Sequence, residues 1–503
     1  MNPYTKYPFT QNPSQARNSW ILFILINLLF FTVLMYYNIA PIISDYDPFI
    51  LLLILLGVIF SVCLFAFSKQ SYFGSKTKWF SISTLFILGY LIVCFQRYID
   101  LLVGNIAPND GYYLVSPDLI NKCALLSLVG LLCFIIGYLF YNPSIPKLRK
   151  IASPIYVPTK WLIFLLSVAV FLFIYNYGSE TLSAGYSQAI LEAKKETMAS
   201  YSEVFIYSLI YAILILHTKN RKEKGETLFG FIKSLGLLFH LSIFAYLGLF
   251  LLIGDRGFIV RVIAVYFFAY IIKIRPKINL IIFFILVLIA SFGVTIIGIV
   301  RSMNPDIAFQ ERMISIIKEN KIDERGSIFN STAELASSVR CLHYAVDYVP
   351  NQHPFLYGYF QFRDILAAIP LSNSVTKHFM DNSFQYKTTA SFITYIIQGD
   401  NYTKGDGSNV VAEFYISFGI FGVIFGLFLF GVFVKKIEMV LFACNPSHIS
   451  FLYYSLAYAY IGAAISISRG TVLDPMRIAV LTFLVLVVYN YIIESHKKLS
   501  VNI

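Results

Sequence analysis

The chain has 503 residues, of which 58% are hydrophobic and 13% charged, proportions that exclude an ordinary soluble domain and mark an integral membrane protein. A formal net charge of +12 does not point to nucleic acid, because Lys and Arg lie in separate groups between hydrophobic runs. Of six cysteines only Cys341 falls in the long polar stretch of the chain, so no disulfide framework is implied.

Hydrophobic runs near the length needed to cross a hydrocarbon layer begin around Trp20, Phe49, Trp79, Leu119, Trp161, Tyr201, Ser234, Phe258, Leu280, Val411, Ile449 and Met476. They predict about twelve transmembrane helices, since a chain in lipid must bond its own backbone groups. The expected fold class is an all-α polytopic membrane protein with a large, partly helical extracytoplasmic loop: spans within 1–300, the loop over 301–410, and the remaining spans within 411–503. The first run continues to Tyr37 without a small-x-small cleavage site and reads as a retained anchor. Basic groups occupy alternate connectors: Lys69, Lys76 and Lys78; Lys147, Arg149 and Lys150; Lys219, Arg221, Lys222 and Lys224; Lys273, Arg275 and Lys277; Lys435 and Lys436; Lys497 and Lys498. The connectors Pro41–Pro48 and Ile99–Asp118 hold no Lys or Arg. By the positive-inside rule both termini are expected in the cytoplasm and the long loop outside.

In chain order, the first outward connector holds Asp45 and Asp47. Two carboxylates so spaced can share a divalent cation, but no other acidic or His cluster lies nearby in sequence, and an acidic turn is the favoured reading. Gln96, Arg97, Tyr112, Tyr113 and Asp118 flank the third and fourth spans and read as interfacial anchors. The connector from Gly178 to Ser200, with Leu182, Ala189, Ile190 and Ala193 among charges, predicts a helix at the membrane surface. Gly254-Asp255-Arg256-Gly257 then closes the seventh run, with Arg261 about one turn inside the eighth and Arg301 after the ninth. Arginine beside or within a span is costly and usually faces a polar cavity.

The stretch from Arg301 to about Val410 carries Phe309, Phe329, Phe355, Phe360, Phe362, Phe379, Phe384 and Phe392, an aromatic content unlike disorder. Ser331-Thr332-Ala333-Glu334 reads as a capping box before Leu335, Val339, Leu342, Val346 and Val349 at helical spacing. Arg340, His343 and Asp347 fall within about 60° of one another on that helix. After the loop, Glu413 enters a span, where a carboxylate is either an arginine's partner or a working group. Gly419, Gly422, Gly426 and Gly431 follow at intervals that permit close helix packing. Arg469, then Asp474 and Arg477, stand at a further outward mouth. Arginine dominates these mouths, and its planar fork suits phosphate oxygens. Together these residues predict an anionic, phosphate-bearing ligand at the outer leaflet.

The residues Gly254-Asp255-Arg256-Gly257, Arg301, His353-Pro354-Phe355-Leu356-Tyr357-Gly358, Ala368-Ile369-Pro370, Ala412-Glu413-Phe414-Tyr415 and Phe418-Gly419-Ile420-Phe421-Gly422 resemble those of the Wzy-type O-antigen and oligosaccharide repeat-unit polymerases. The resemblance implies an inverting membrane glycosyltransferase of the C type. Such an enzyme moves a glycan from undecaprenyl diphosphate to the terminal sugar of another carrier-linked unit at the bacterial inner membrane. It also implies a chain-length-regulating copolymerase and a flippase as partners. On that reading no metal or other cofactor is needed: Arg256, Arg261, Arg301 and Arg469 are preorganised cations for the departing diphosphate. Glu413 and His353 are the leading groups to deprotonate an acceptor hydroxyl, with His343 behind them, and Arg340, Arg363 and Asp364 line the sugar groove or hold the loop together. A lipid-linked glycan ligase with a different acceptor is the nearest alternative. A flippase or transporter of lipid-linked sugars is another, predicting inverted repeats and broken helices that the sequence does not clearly display.

Overall fold

Every apolar run expected to span is helical wherever it is described, because helices satisfy the backbone without water. The computed structural model describes residues 13–40, 45–69, 79–141, 158–183, 197–219, 227–253, 257–274, 332–370, 372, 376, 378–402, 405–443 and 449–501. The spanning region comprises α1 (Pro13–Asn38), α2 (Pro48–Ser68), α3 (Ile82–Val103), α4 (Pro117–Phe140), α5 (Lys160–Ser183), α6 (Thr197–Lys219), α7 (Leu228–Leu235), α8 (Leu237–Ile253) and α9 (Gly257–Ile274). The loop adds α10 (Ala333–Ala336), α11 (Val339–Tyr348), α12 (Tyr359–Ala367) and α13 (Thr389–Gln398), and the chain closes with α14 (Val410–Ala443), α15 (Phe451–Ala463) and α16 (Asp474–Val501). Among the described residues eight helices are long and apolar enough to cross a membrane, or nine if one bent pair counts as a span. The Leu280 run, residues 184–196 of the expected surface helix, and the loop before residue 332 lie outside the described residues.

The bundle is assembled on α4, whose side chains are buried along nearly its whole length, with α14 packed beside it and α1 and α2 also against it. Glycine permits the close crossing of α4 and α14. A Cβ added at Gly137 would overlap the Phe428 carbonyl, and one at Gly431 would overlap the Phe134 carbonyl.

The span expected from Ser234 instead begins at Leu237. Gly236, at φ 85°, turns the chain so that α7 and α8 meet at 87°. On α7, Phe231 and Leu235 are buried while Leu228 and Phe229 are exposed, the pattern of a helix lying along the membrane surface.

A second departure is the break in α14 at Phe418 (φ −146°, ψ 23°) and Gly419 (φ 62°, ψ −148°). The Ile416 and Ser417 carbonyls accept hydrogen bonds from the Leu356 and Tyr357 amides of the loop, at 3.0 and 2.9 Å. Non-helical backbone at a span is tolerated where protein satisfies it.

Of the expected capping box, Ser331 lies outside the described residues. Thr332 makes no cap hydrogen bond; its hydroxyl donates to Gln96 Oε1 at 2.6 Å, and Glu334 pairs with Arg469 at 3.5 Å. The helix is interrupted at Ser337 and Ser338, and Val339, Leu342, Val346 and Val349 are buried as the periodicity predicts.

Arg97 is likewise no interfacial anchor. It is buried in α3, pairs with Asp100 at 3.3 Å, donates to the Ala333 carbonyl at 3.0 Å, and lies 4.0 Å from the centroid of the Tyr113 ring. Tyr112 offers its ring to Arg340 at 4.7 Å. Tyr112 is thus a cation–π platform for the loop, while Tyr113 backs Arg97, which holds the loop through Ala333.

The glycine crossing yields a stability test. Gly137→Val should destabilise the detergent-solubilised protein by about 1–3 kcal/mol, the usual cost of overpacking, read as a lowered thermal midpoint. Gly248→Ala, where a Cβ meets nothing within 4 Å, should change it little. Equal midpoints for Gly137→Val and wild type would refute the close crossing.

Candidate functional site

The first turn of α14 is set by Asn409, whose side-chain oxygen accepts from the Val411 amide at 2.8 Å and so satisfies one of the free amides of a helix start. One turn further in, Glu413 is fully buried. Its Oε2 accepts from the Val472 amide at 3.1 Å and its Oε1 from Gln361 Nε2 at 3.3 Å. Ser417, just before the helix break, donates to Gln361 Oε1 at 2.9 Å and to the Glu413 carbonyl at 3.0 Å. Among the described residues no cation lies within ion-pair distance of Glu413, so the reading of it as an arginine's partner finds no support there.

Asp364 stands on α12, one turn beyond Gln361, and its Oδ2 accepts from the Thr471 hydroxyl at 3.1 Å. Burial pushes its carboxyl up to about 6, with Asp474 adding to the rise, while Thr471 and Arg363 oppose it. One short segment, Gly470 to Leu473, thus holds both carboxylates: Thr471 donates to Asp364 and Val472 to Glu413.

Arg469 opens that segment. It pairs with Glu334 and keeps about a third of its side chain exposed. Gly407, at φ 82°, brings backbone against it: an added Cβ would lie 3.4 Å from Arg469 Nε. The Ser408 amide donates to the Arg469 carbonyl at 3.2 Å. Arg261 reaches Asp474 only at 3.9 Å and lies 5.4 Å from the centroid of the Tyr207 ring. Arg261, Asp364, Glu413 and Arg469 therefore all adjoin the chain from 469 to 474.

Other expected site residues are placed elsewhere. Arg340 pairs with Asp406, which also accepts from Gln398 and whose amide donates to Thr394 at 3.0 Å. Arg363 donates to the Asp381 carbonyl at 2.8 Å and to Asn382 Oδ1 at 3.3 Å. Both arginines thus tie loop segments together. His343 is wholly buried against the Tyr98 hydroxyl at 2.9 Å, and burial holds its imidazole down at about 3, in the neutral form. His353 Nδ1 is 2.7 Å from the Pro354 carbonyl, which requires the proton on Nδ1. Its Nε2 then accepts from the Tyr386 hydroxyl at 3.0 Å. Both imidazole nitrogens are engaged, within a cluster of Tyr348, Tyr386 and Phe392. Asp47 caps α2 by accepting from the Phe49 and Ile50 amides, while Asp45 is exposed beside it. Among the described residues no three His, Cys, Asp or Glu side chains converge. Arg256 and Arg301 lie outside the described residues.

Gln361, Thr471 and Asp406 escaped the sequence reading. Gln361 had one available signal, its position three residues before Asp364 on the same helical face. Thr471 and the Val472 amide had none.

The family model described as O-antigen polysaccharide polymerase Wzy matches residues 20–498. No curated protein and no solved structure matches the chain.

The Arg340–Asp406 pair is tested by truncation. Arg340→Ala leaves a buried carboxylate without its cation and should cost about 3–5 kcal/mol of stability. Arg340→Ala combined with Asp406→Asn should cost clearly less than the sum of the single changes in detergent melting. Additive losses, or an intact midpoint with a raised KM, would return Arg340 to the substrate groove.

Proposed function

This chain belongs to the O-antigen polysaccharide polymerase Wzy family, and we propose that Asp364 and Glu413 manage the proton in the glycosyl transfer that joins its repeat units. The family polymerises lipid-linked oligosaccharide repeat units. On the finer reading, the glycan leaves undecaprenyl diphosphate for a hydroxyl of a second carrier-linked unit, at the outer face of the bacterial cytoplasmic membrane. The acceptor oxygen bonds to the anomeric carbon as the bond from that carbon to the diphosphate oxygen breaks. The electron pair leaves with the lipid diphosphate, and a single displacement inverts the centre.

The observation that carries this reading is the pair of carboxylates held by one segment with different access. Glu413 is fully buried and held by neutral donors. Asp364, only partly buried and held up at about 6, is ionised at neutral pH and near the value that suits a base there. Asp364 therefore takes the hydroxyl proton. Glu413, through the Val472 amide, fixes the segment whose Thr471 hydroxyl orients Asp364. This shifts the base from Glu413 and His353, the leading choices from sequence, to the neighbouring carboxylate. Arg261 and Arg469 adjoin the same segment, and with Arg256 and Arg301 they meet the charge growing on the diphosphate, a task preorganised cations perform without metal. A chain-length-regulating copolymerase and a flippase supplying carrier-linked units are the expected partners.

Purified protein in vesicles with carrier-linked repeat units alone should give a ladder of lengthening glycans. Donor consumed only with a different acceptor would indicate a ligase, and transbilayer movement without new glycosidic bonds would indicate a flippase. A carboxylate base works only when ionised, so kcat/KM should fall as pH drops through about 6 and level off above it. Asp364→Asn should remove that limb and cost ~100-fold in rate. Glu413→Gln should keep the limb with a smaller loss; the reverse pattern assigns the base to Glu413.

The proposed orientation has its own test. An impermeant thiol reagent on intact spheroplasts should label a cysteine replacing Lys404 and spare one replacing the exposed Lys436. The opposite labelling would invert the topology.

A further inference from the structure

Helix α12 is amphipathic with its polarity reversed relative to a helix in water. At 100° per residue, Phe360, Gln361, Asp364, Ala367 and Ala368 share one side, which faces the protein: Phe360 and Ala368 are buried, and Gln361 and Asp364 reach Ser417, Glu413 and Thr471. Phe362 and Ile365 share the other side and are each 53% exposed, and Ile369, just past the helix end, is 54% exposed. A loop helix bathed in water would not present that face.

The exposed face also continues into the span. Tyr357, 72% exposed, packs edge-on against Phe418 with ring centroids 6.0 Å apart. Phe418 is followed at helical spacing by Phe421, Phe425 and Leu429, each more than 60% exposed on α14. An apolar strip therefore runs from mid-span, past the helix break, to the outer side of the helix whose inner side carries Gln361 and Asp364. Leu356 and Tyr357 are hydrogen-bonded to α14 at that break, which starts the α12 segment beside Phe418.

We infer that this strip, Leu429–Phe425–Phe421–Phe418–Tyr357–Phe362–Ile365, carries the isoprenoid chain of the lipid-linked substrate and leads its diphosphate end to the carboxylate site. The inference rests on the polymerase reading for the identity of the ligand. Two things select an isoprenoid over a protein partner: the strip is continuous with the lipid-facing surface of a span, and it ends one helix width from the groups that would meet a diphosphate-linked sugar. Aromatic and branched side chains line it, offering apolar contact without any hydrogen-bonding group except the Tyr357 hydroxyl.

The test is photocrosslinking with carrier-linked repeat units labelled in the glycan. Phe362→p-benzoylphenylalanine and Phe421→p-benzoylphenylalanine should each take up label, and Phe171→p-benzoylphenylalanine, 67% exposed on α5, should not. Excess unlabelled isoprenoid phosphate should suppress the uptake. Equal labelling at Phe171 means bulk lipid and overturns the inference, as does a crosslinked adduct of two protein chains in place of labelled substrate. Labelling requires binding without turnover, so its failure is distinguishable from failure of the glycan ladder. In kinetics, Phe362→Ser with Ile365→Ser should raise KM for the long-chain donor about tenfold with kcat kept, the sign of lost uniform binding. A short-chain donor should not distinguish this variant from wild type. An unchanged long-chain KM would overturn the assignment.

Discussion

Two carbonyl groups inside a membrane span set the terms for the rest of the molecule. Where α14 breaks, Ile416 and Ser417 lose their helical partners, and a bare carbonyl in an apolar setting costs several kcal/mol. The Leu356 and Tyr357 amides satisfy them, which makes the loop and the span one unit. The junction imposes tight local conditions. Gly419 takes φ 62°, and a Cβ there would press on the Phe355 ring at 3.2 Å. Tyr357 is held at φ 45° with Gly358 at 81°, and such left-handed backbone in a large side chain persists only where its surroundings enforce it. The same junction delivers Gln361 to Glu413, so site geometry and backbone satisfaction are parts of one arrangement.

The buried carboxylates divide by the kind of partner they receive. Asp406 is given a guanidinium, an amide side chain and a fixed place between α11 and α13, which is what a structural charge needs to be tolerated. Glu413 is given a backbone amide and a neutral side chain. A charge placed for packing alone would be expected to recruit a cation, as Asp406 and Asp100 do. Among the described residues Glu413 has only neutral donors, and on the proposed reading this leaves the positive charge of Arg469, one-third exposed, for an anionic ligand.

That the apolar runs form helices was legible because lipid imposes one demand on every residue of a run, and composition alone reports it. The stripe of Val339, Leu342, Val346 and Val349 was legible for a similar reason, since burial recurs with the helical period. Long-range side-chain partners were not: Gln96 and Arg469 reach Thr332 and Glu334 from far along the chain. Arg97 sits near a span end, where snorkelling is the default expectation, and only the fold shows Ala333 and Tyr113 beside it. Of the site, Glu413 and Arg469 could be picked out as charges within or beside a span, and Asp364 only as a loop charge that lines the groove or holds the loop together. Their grouping could not, because it depends on Thr471 and a backbone amide that carry no sequence signal.

On the proposed reading the substrate has a charged glycan diphosphate head and a long isoprenoid tail, which confines its enzyme to a boundary. Withdrawing the tail from lipid would cost about 0.8 kcal/mol per methylene, far beyond what contacts to the head could offset for a chain of many carbons. The reacting groups must therefore come to the membrane surface. They need a polar side to face the sugar and an oily side to face the tail within about one helix diameter. Helix α12 has that form: Asp364 and Gln361 are turned inward while Phe362 and Ile365 are turned outward. The break in α14 fixes its height. By bonding the loop backbone at Ile416 and Ser417, it holds α12 beside Glu413 near the start of the span.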